Sequence, residues 1–79
     1  MREQIREYIK SDLIHDKKYP LKDDEDLFKG GLVDAFSLTE LAVFIEETIG
    51  VSFADPELTV PNMRTLDHII RNIEAKQAK

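Results

Sequence analysis

The chain contains no cysteine, no apolar run of membrane length, no repeat and no low-complexity tract. Without cysteine there is no disulfide framework, no thiolate zinc site and no cysteine nucleophile. A membrane span needs about 20 consecutive apolar residues. The opening stretch, MREQIREYIK, is charged and amphipathic and lacks the apolar core of a signal peptide. These absences point to a cytoplasmic protein with no membrane partner. A further absence is local. From Gly31 to Met63 there is no lysine or arginine, against the six acids Asp34, Glu40, Glu46, Glu47, Asp55 and Glu57. That stretch carries −6 and the rest of the chain +1, with 11 basic and 10 acidic residues, which together make the net charge of −5. A surface of one negative sign disfavours nucleic acid and favours partners with basic patches.

The 79 residues suit one domain, residues 1–79, with ordinary globular composition, 42% hydrophobic and 34% charged. Such a chain buries only about 60% of its unfolded surface, so its stability is modest.

Three amphipathic stripes are legible. Ile5, Tyr8, Ile9 and Leu13 predict a helix over 2–14. Leu38, Leu41, Ala42, Ile45 and Ile49 share one side of a second helix, expected over 35–49. Two N-caps compete for its start: Asp34, or Ser37 forming a capping box with Glu40. Gly50 supplies its stop, with Val51 as the apolar residue that closes it. Leu66, Ile69, Ile70 and Ile73 predict a last helix over 65–76 capped by Thr65, and Thr59 with Pro61 suits a short turn of helix over 60–63. Between the first two helices lies a long loop, marked by Pro20, the acids Asp23 to Asp26 and the pair Gly30-Gly31. Its apolar residues Leu27, Phe28, Leu32 and Val33 are expected to pin it to the core. No strand pattern is present. The fold class is all-α, a small bundle of three main helices plus one short one.

Little here supports enzymatic chemistry. His15 and His68 are far apart in sequence, and no nucleophile–base pair is evident. The acids Asp23 to Asp26 do not make a calcium loop. Counting from Asp23 places Phe28 and Asp34 at the sixth and twelfth positions, and counting from Asp24 places Lys29 and Ala35 there, where an EF-hand wants Gly and Glu. A solvated loop is the expectation.

The second helix carries more than packing requires. On a wheel Phe36 and Val43 fall roughly 140–160° from Leu38, beside Glu40 and Glu47. An aromatic and a branched aliphatic ringed by carboxylates form a protein-recognition face, to which Glu46 adds a further acid. Phe44 lies between the two faces and is expected beneath the long loop.

The stretch DLFKGGLVDAFSLTELAVFIEETIGV resembles the central region of acyl carrier and peptidyl carrier proteins. Val33, Asp34, Phe36, Glu40 and Leu41 match the motif of that family in register, and LTVPNMRTLDHI fits further on. The likeness runs from Ile5 to Glu74 and is nearest to free-standing bacterial carriers. It implies a four-helix bundle of the acyl-carrier type, probed by a phosphopantetheinyl transferase and by acyl- or aminoacyl-transferring enzymes with basic docking patches. It also implies a monomeric carrier, not an enzyme, bearing thioesters on a 4′-phosphopantetheine arm. In the family that arm hangs from a serine after the Asp. This chain has Ala35 there, with no oxygen to hold it. Ser37 is a poor substitute, because using it breaks the Glu-Leu spacing. Either Ala35 is a serine replacement that holds a carrier in its unmodified form, or the chain is a carrier-like domain without a prosthetic group that acts as an interaction module. The intact surroundings, Asp34 and Phe36 above all, favour the first.

Overall fold

A computed structural model describes residues 1–78. Helix α1 spans Arg2–Tyr8 and continues over Ile9–Leu13 with wider, π-type turns. The Ile14 N–H bonds to the Ile9 carbonyl at 2.8 Å, five residues back. The sequence expectation of one regular helix over 2–14 is corrected to this two-part form. The wider turn keeps Ile9 and Leu13 buried and half-buries Ile14. The helix ends on His15, which takes a left-handed φ of 64°. That geometry lets Asp16 N–H reach back to the Lys10 carbonyl at 2.8 Å.

Helix α2 spans Ser37–Ile49, α3 Val60–Met63 and α4 Leu66–Gln77, with single 3₁₀ turns at Lys29–Gly31 and Asp55–Glu57. The fold is an all-α bundle, as the three stripes require. Ile5, Ile9, Ile45, Leu66, Ile69 and Ile73 are fully buried at its centre. Thr59 accepts from Asn62 N–H at 3.4 Å and Thr65 from His68 N–H at 3.1 Å, so both short-range caps form. His68 sits half-buried at the core boundary, its Nδ1 2.6 Å from the Thr65 hydroxyl. Gly50 closes α2 with φ 85°, a conformation a Cβ would resist. No helix of the described residues is long and apolar enough to cross a membrane.

The long connection is not the solvated loop expected from its charges. Asp23 is clasped between Arg2, at 3.2 Å, and Arg6, while Arg2 also reaches Asp67 of α4 at 2.7 Å. Arg6 additionally donates to the Leu21 carbonyl at 2.6 Å. Glu25 accepts from the Tyr19 hydroxyl. Asp26 accepts from Phe28 N–H at 2.9 Å and from Arg64 at 3.1 Å. Two backbone bonds stitch the loop to the α3–α4 junction: Leu27 N–H to the Arg64 carbonyl at 2.8 Å, and Asp67 N–H to the Asp23 carbonyl at 3.0 Å. Leu21, Leu27 and Val33 are buried beneath.

Two predictions follow from these ends. A left-handed non-glycine residue costs roughly 1–2 kcal/mol, part of which glycine returns as unfolded-state entropy. His15→Gly should therefore raise stability by roughly 0.5 kcal/mol, a few degrees in Tm for a domain this size, and His15→Val should lower it. Thermal melts in which His15→Gly is no more stable would show that position 15 is unstrained. For Asp26, the Phe28 N–H first and the Arg64 guanidinium and Lys29 N–H after it hold the carboxyl below the usual aspartate range, against an opposing desolvation. A depressed folded-state value contributes stability above the unfolded value and loses it as pH falls through the folded one. Wild type should therefore exceed Asp26→Asn in Tm near neutral pH. That difference should shrink as pH drops below about 4. A difference that stays constant down to pH 2 would contradict this.

Candidate functional site

The site is built from the end of the loop. Gly30 and Gly31 take φ of 73° and 76°, and the reversal they allow returns the chain so that Val33 N–H bonds the Leu27 carbonyl at 2.8 Å. Val33 is buried, which leaves the next three residues projecting from the surface. Asp34, Ala35 and Phe36 are all exposed. The Asp34 carboxylate folds forward to accept from Phe36 N–H at 2.9 Å, and its carbonyl accepts from Ser37 N–H at 2.9 Å. The Ala35 carbonyl accepts from Leu38 N–H at 3.2 Å.

These bonds correct two expectations and add a constraint at Ala35. Helix α2 begins at Ser37 rather than at residue 35, because residues 34–36 form an Asx-type turn. No side-chain cap bond forms at that helix end, so the Ser37–Glu40 capping box is absent. The amides of Phe36, Ser37 and Leu38 are already bonded within the turn rather than free for an anion at Ala35. Ser37, relieved of capping, is instead half-buried.

Helix α2 divides as the wheel predicts. Leu38, Leu41 and Ile45 are buried, with Ala42 and Ile49 half-buried beside them. Outside, Glu40, Val43, Glu46 and Glu47 are exposed, Val43 by 50%. Phe36 is 88% exposed, an extreme for an aromatic ring. The face thus runs from Phe36 along one side of the helix with carboxylates around it and no cation contributed by residues 31–63.

Phe44 corrects a further expectation. It stacks on Tyr8 of α1, ring centroids 4.1 Å apart and planes 16° from parallel, instead of lying under the loop. Tyr8 donates its hydroxyl to the Glu40 carbonyl at 3.3 Å. Burial, reinforced by Asp12, Glu40 and Glu47, pushes the Tyr8 phenol above the usual tyrosine range. The α1 stripe places Tyr8 in the core, and this stack puts it between core and surface. The sequence signal for the Arg2–Asp23–Arg6 clasp is two arginines four apart on one helix face followed by an acidic run. Among the described residues no group of three or more His, Asp or Glu is placed to hold a metal ion.

No protein-family model matches the chain, and no curated protein matches it either.

An outward residue and an inward one on the same segment should respond very differently to substitution. Phe36→Ser should change stability by no more than about 0.5 kcal/mol, whereas Ile45→Ala should cost roughly 2–5 kcal/mol. Urea unfolding measures both. A large loss on Phe36→Ser would mean that the ring packs against the fold and is not offered to partners.

Proposed function

We propose that the chain is a carrier-type domain whose attachment position, Ala35, lacks the oxygen that would hold a 4′-phosphopantetheine arm, and whose α2 face docks partner enzymes. The reading is of a cytoplasmic acyl or aminoacyl carrier held in its unmodified form. The observation that carries it is the exposed Asp34-Ala35-Phe36 turn at the start of an acidic helix. Within the turn Asp34 is braced against Phe36 N–H, and Phe36 gives a transferase an apolar grip. The residues as they stand do not fit the arm. The Ala35 methyl cannot form a phosphodiester, so no thioester chemistry belongs to this chain as written. Glu40, Val43, Glu46 and Glu47 would meet basic residues surrounding an apolar pocket on the partner.

The second reading, an armless interaction module, draws support from Ala35 itself. Restoring one oxygen separates the two. Ala35→Ser incubated with coenzyme A and a broad-specificity phosphopantetheinyl transferase should gain one phosphopantetheine increment in intact-protein mass spectrometry. The Ala35 form should gain none, and Ala35→Ser with Asp34→Ala should be slowed or blocked. A folded Ala35→Ser protein that several transferases leave unmodified would sink the carrier reading, and an increment on Ser37 would move the site.

The docking face has its own test. Reversing Glu40 and Glu47 to lysine should weaken binding of an enzyme that accepts the Ala35→Ser carrier and flatten its salt dependence, with helicity unchanged. Unchanged affinity at low salt would remove α2 as the docking surface.

A further inference from the structure

A shallow cleft of about 440 Å³ lies between α1 and α2, away from Ala35. Its floor is the stacked pair Tyr8 and Phe44, each half-buried. Its rim carries the carboxylates of Glu7 and Asp12, and Ser11 and Thr48 line it with hydroxyls. No lining residue is basic. Lys10 forms a long ion pair with Glu7 at 3.8 Å, which leaves Asp12 as the rim carboxylate without an ion pair among the described residues. The Ser11 hydroxyl lies 3.0 Å from Asp12 and 2.9 Å from the Glu7 carbonyl, and its one proton can go to either.

We propose that this cleft seats an arginine side chain presented by a partner protein. An aromatic floor attracts a cation over a ring, and arginine is the cation that stacks flat on one. Its aliphatic stem can lie along the aromatic floor while the guanidinium forks to a rim carboxylate. Lysine offers a compact, strongly hydrated charge that gains less from a ring and cannot form the fork. Burial is the main reason the Tyr8 phenol is raised, and the carboxylates of Asp12, Glu40 and Glu47 add to it at the same place. Tyr8 bonds to the Glu40 carbonyl, so the cleft is continuous with the acidic side of α2. The inference rests on the reading of α2 as a partner-facing helix and extends that footprint onto α1. It requires neither Ala35 nor an arm.

The probe is a blocked Ala-Arg-Ala peptide titrated into the isotope-labelled chain, followed by amide and aromatic NMR shifts. Shifts should centre on Glu7, Tyr8, Asp12, Phe44 and Thr48. The corresponding Ala-Lys-Ala peptide should bind several-fold more weakly, by roughly threefold or more. Glu7→Gln combined with Asp12→Asn, both at exposed positions, should weaken arginine binding by roughly fivefold. Phe44→Leu, checked for unchanged helicity by circular dichroism, should abolish the preference for arginine over lysine. Glu74→Gln, which removes an exposed carboxylate on α4, should leave the titration unchanged. Equal shifts from both peptides, or shifts confined to the outward face of α2, would overturn the cleft. In that event the docking of enzymes to α2, read from the Glu40 and Glu47 reversals, would still stand or fall by its own measurement.

Discussion

The clasp of Asp23 between Arg2 and Arg6 is the constraint on which the rest of this small bundle depends. The chain from Ile14 to Phe36 has almost no regular structure, and ordering so long a connection opposes folding through lost backbone entropy. Exposed ion pairs contribute little, but the Arg6 side chain is only 17% exposed and also holds the Leu21 carbonyl. Arg2 extends the same cluster to Asp67, tying loop, α1 and α4 at one point. Beneath it Leu21, Leu27 and Val33 are buried, so the charges set the path of the loop and the apolar residues hold it down.

Fixing the loop fixes the turn that follows. Because Val33 is buried and bonded to Leu27, the next residues have one direction in which to go, and Phe36 is left almost wholly in solvent. The Asx-type bond from Asp34 to Phe36 N–H makes that turn local and self-sufficient. An exposed aromatic of this kind brings no folding benefit, since its ring buries nothing within the chain.

The charge distribution follows the same division. Arg2, Arg6 and Arg64 all turn inward against the loop acids Asp23 and Asp26, and Lys76 pairs with Glu57 at 2.7 Å while lying over the Phe53 ring. These four cations are thereby paired within the fold. The carboxylates of α2 have none in their own stretch of sequence, and they face solvent unopposed by neighbouring residues of that helix. That run of carboxylates without a cation in the same stretch is what gives the α2 face its sign.

Local patterns were enough to establish the three stripes, the caps at Thr59 and Thr65, the stop at Gly50 and the outward set Phe36, Glu40, Val43 and Glu47. Each depends on residues within about one or two turns of one another, where helical periodicity and capping chemistry leave few alternatives. Tertiary structure decided everything that joins residues far apart: which acids the arginines clasp, that Phe44 stacks on Tyr8, and that α1 widens after Tyr8. It also decided between the competing starts of α2. Sequence offered Asp34 and Ser37 as competing caps, and neither side chain caps the helix, which opens at Ser37 with Asp34 bonded to Phe36 N–H in the turn before it. Such choices turn on distances between segments, and a side chain's spacing along the chain carries no record of them.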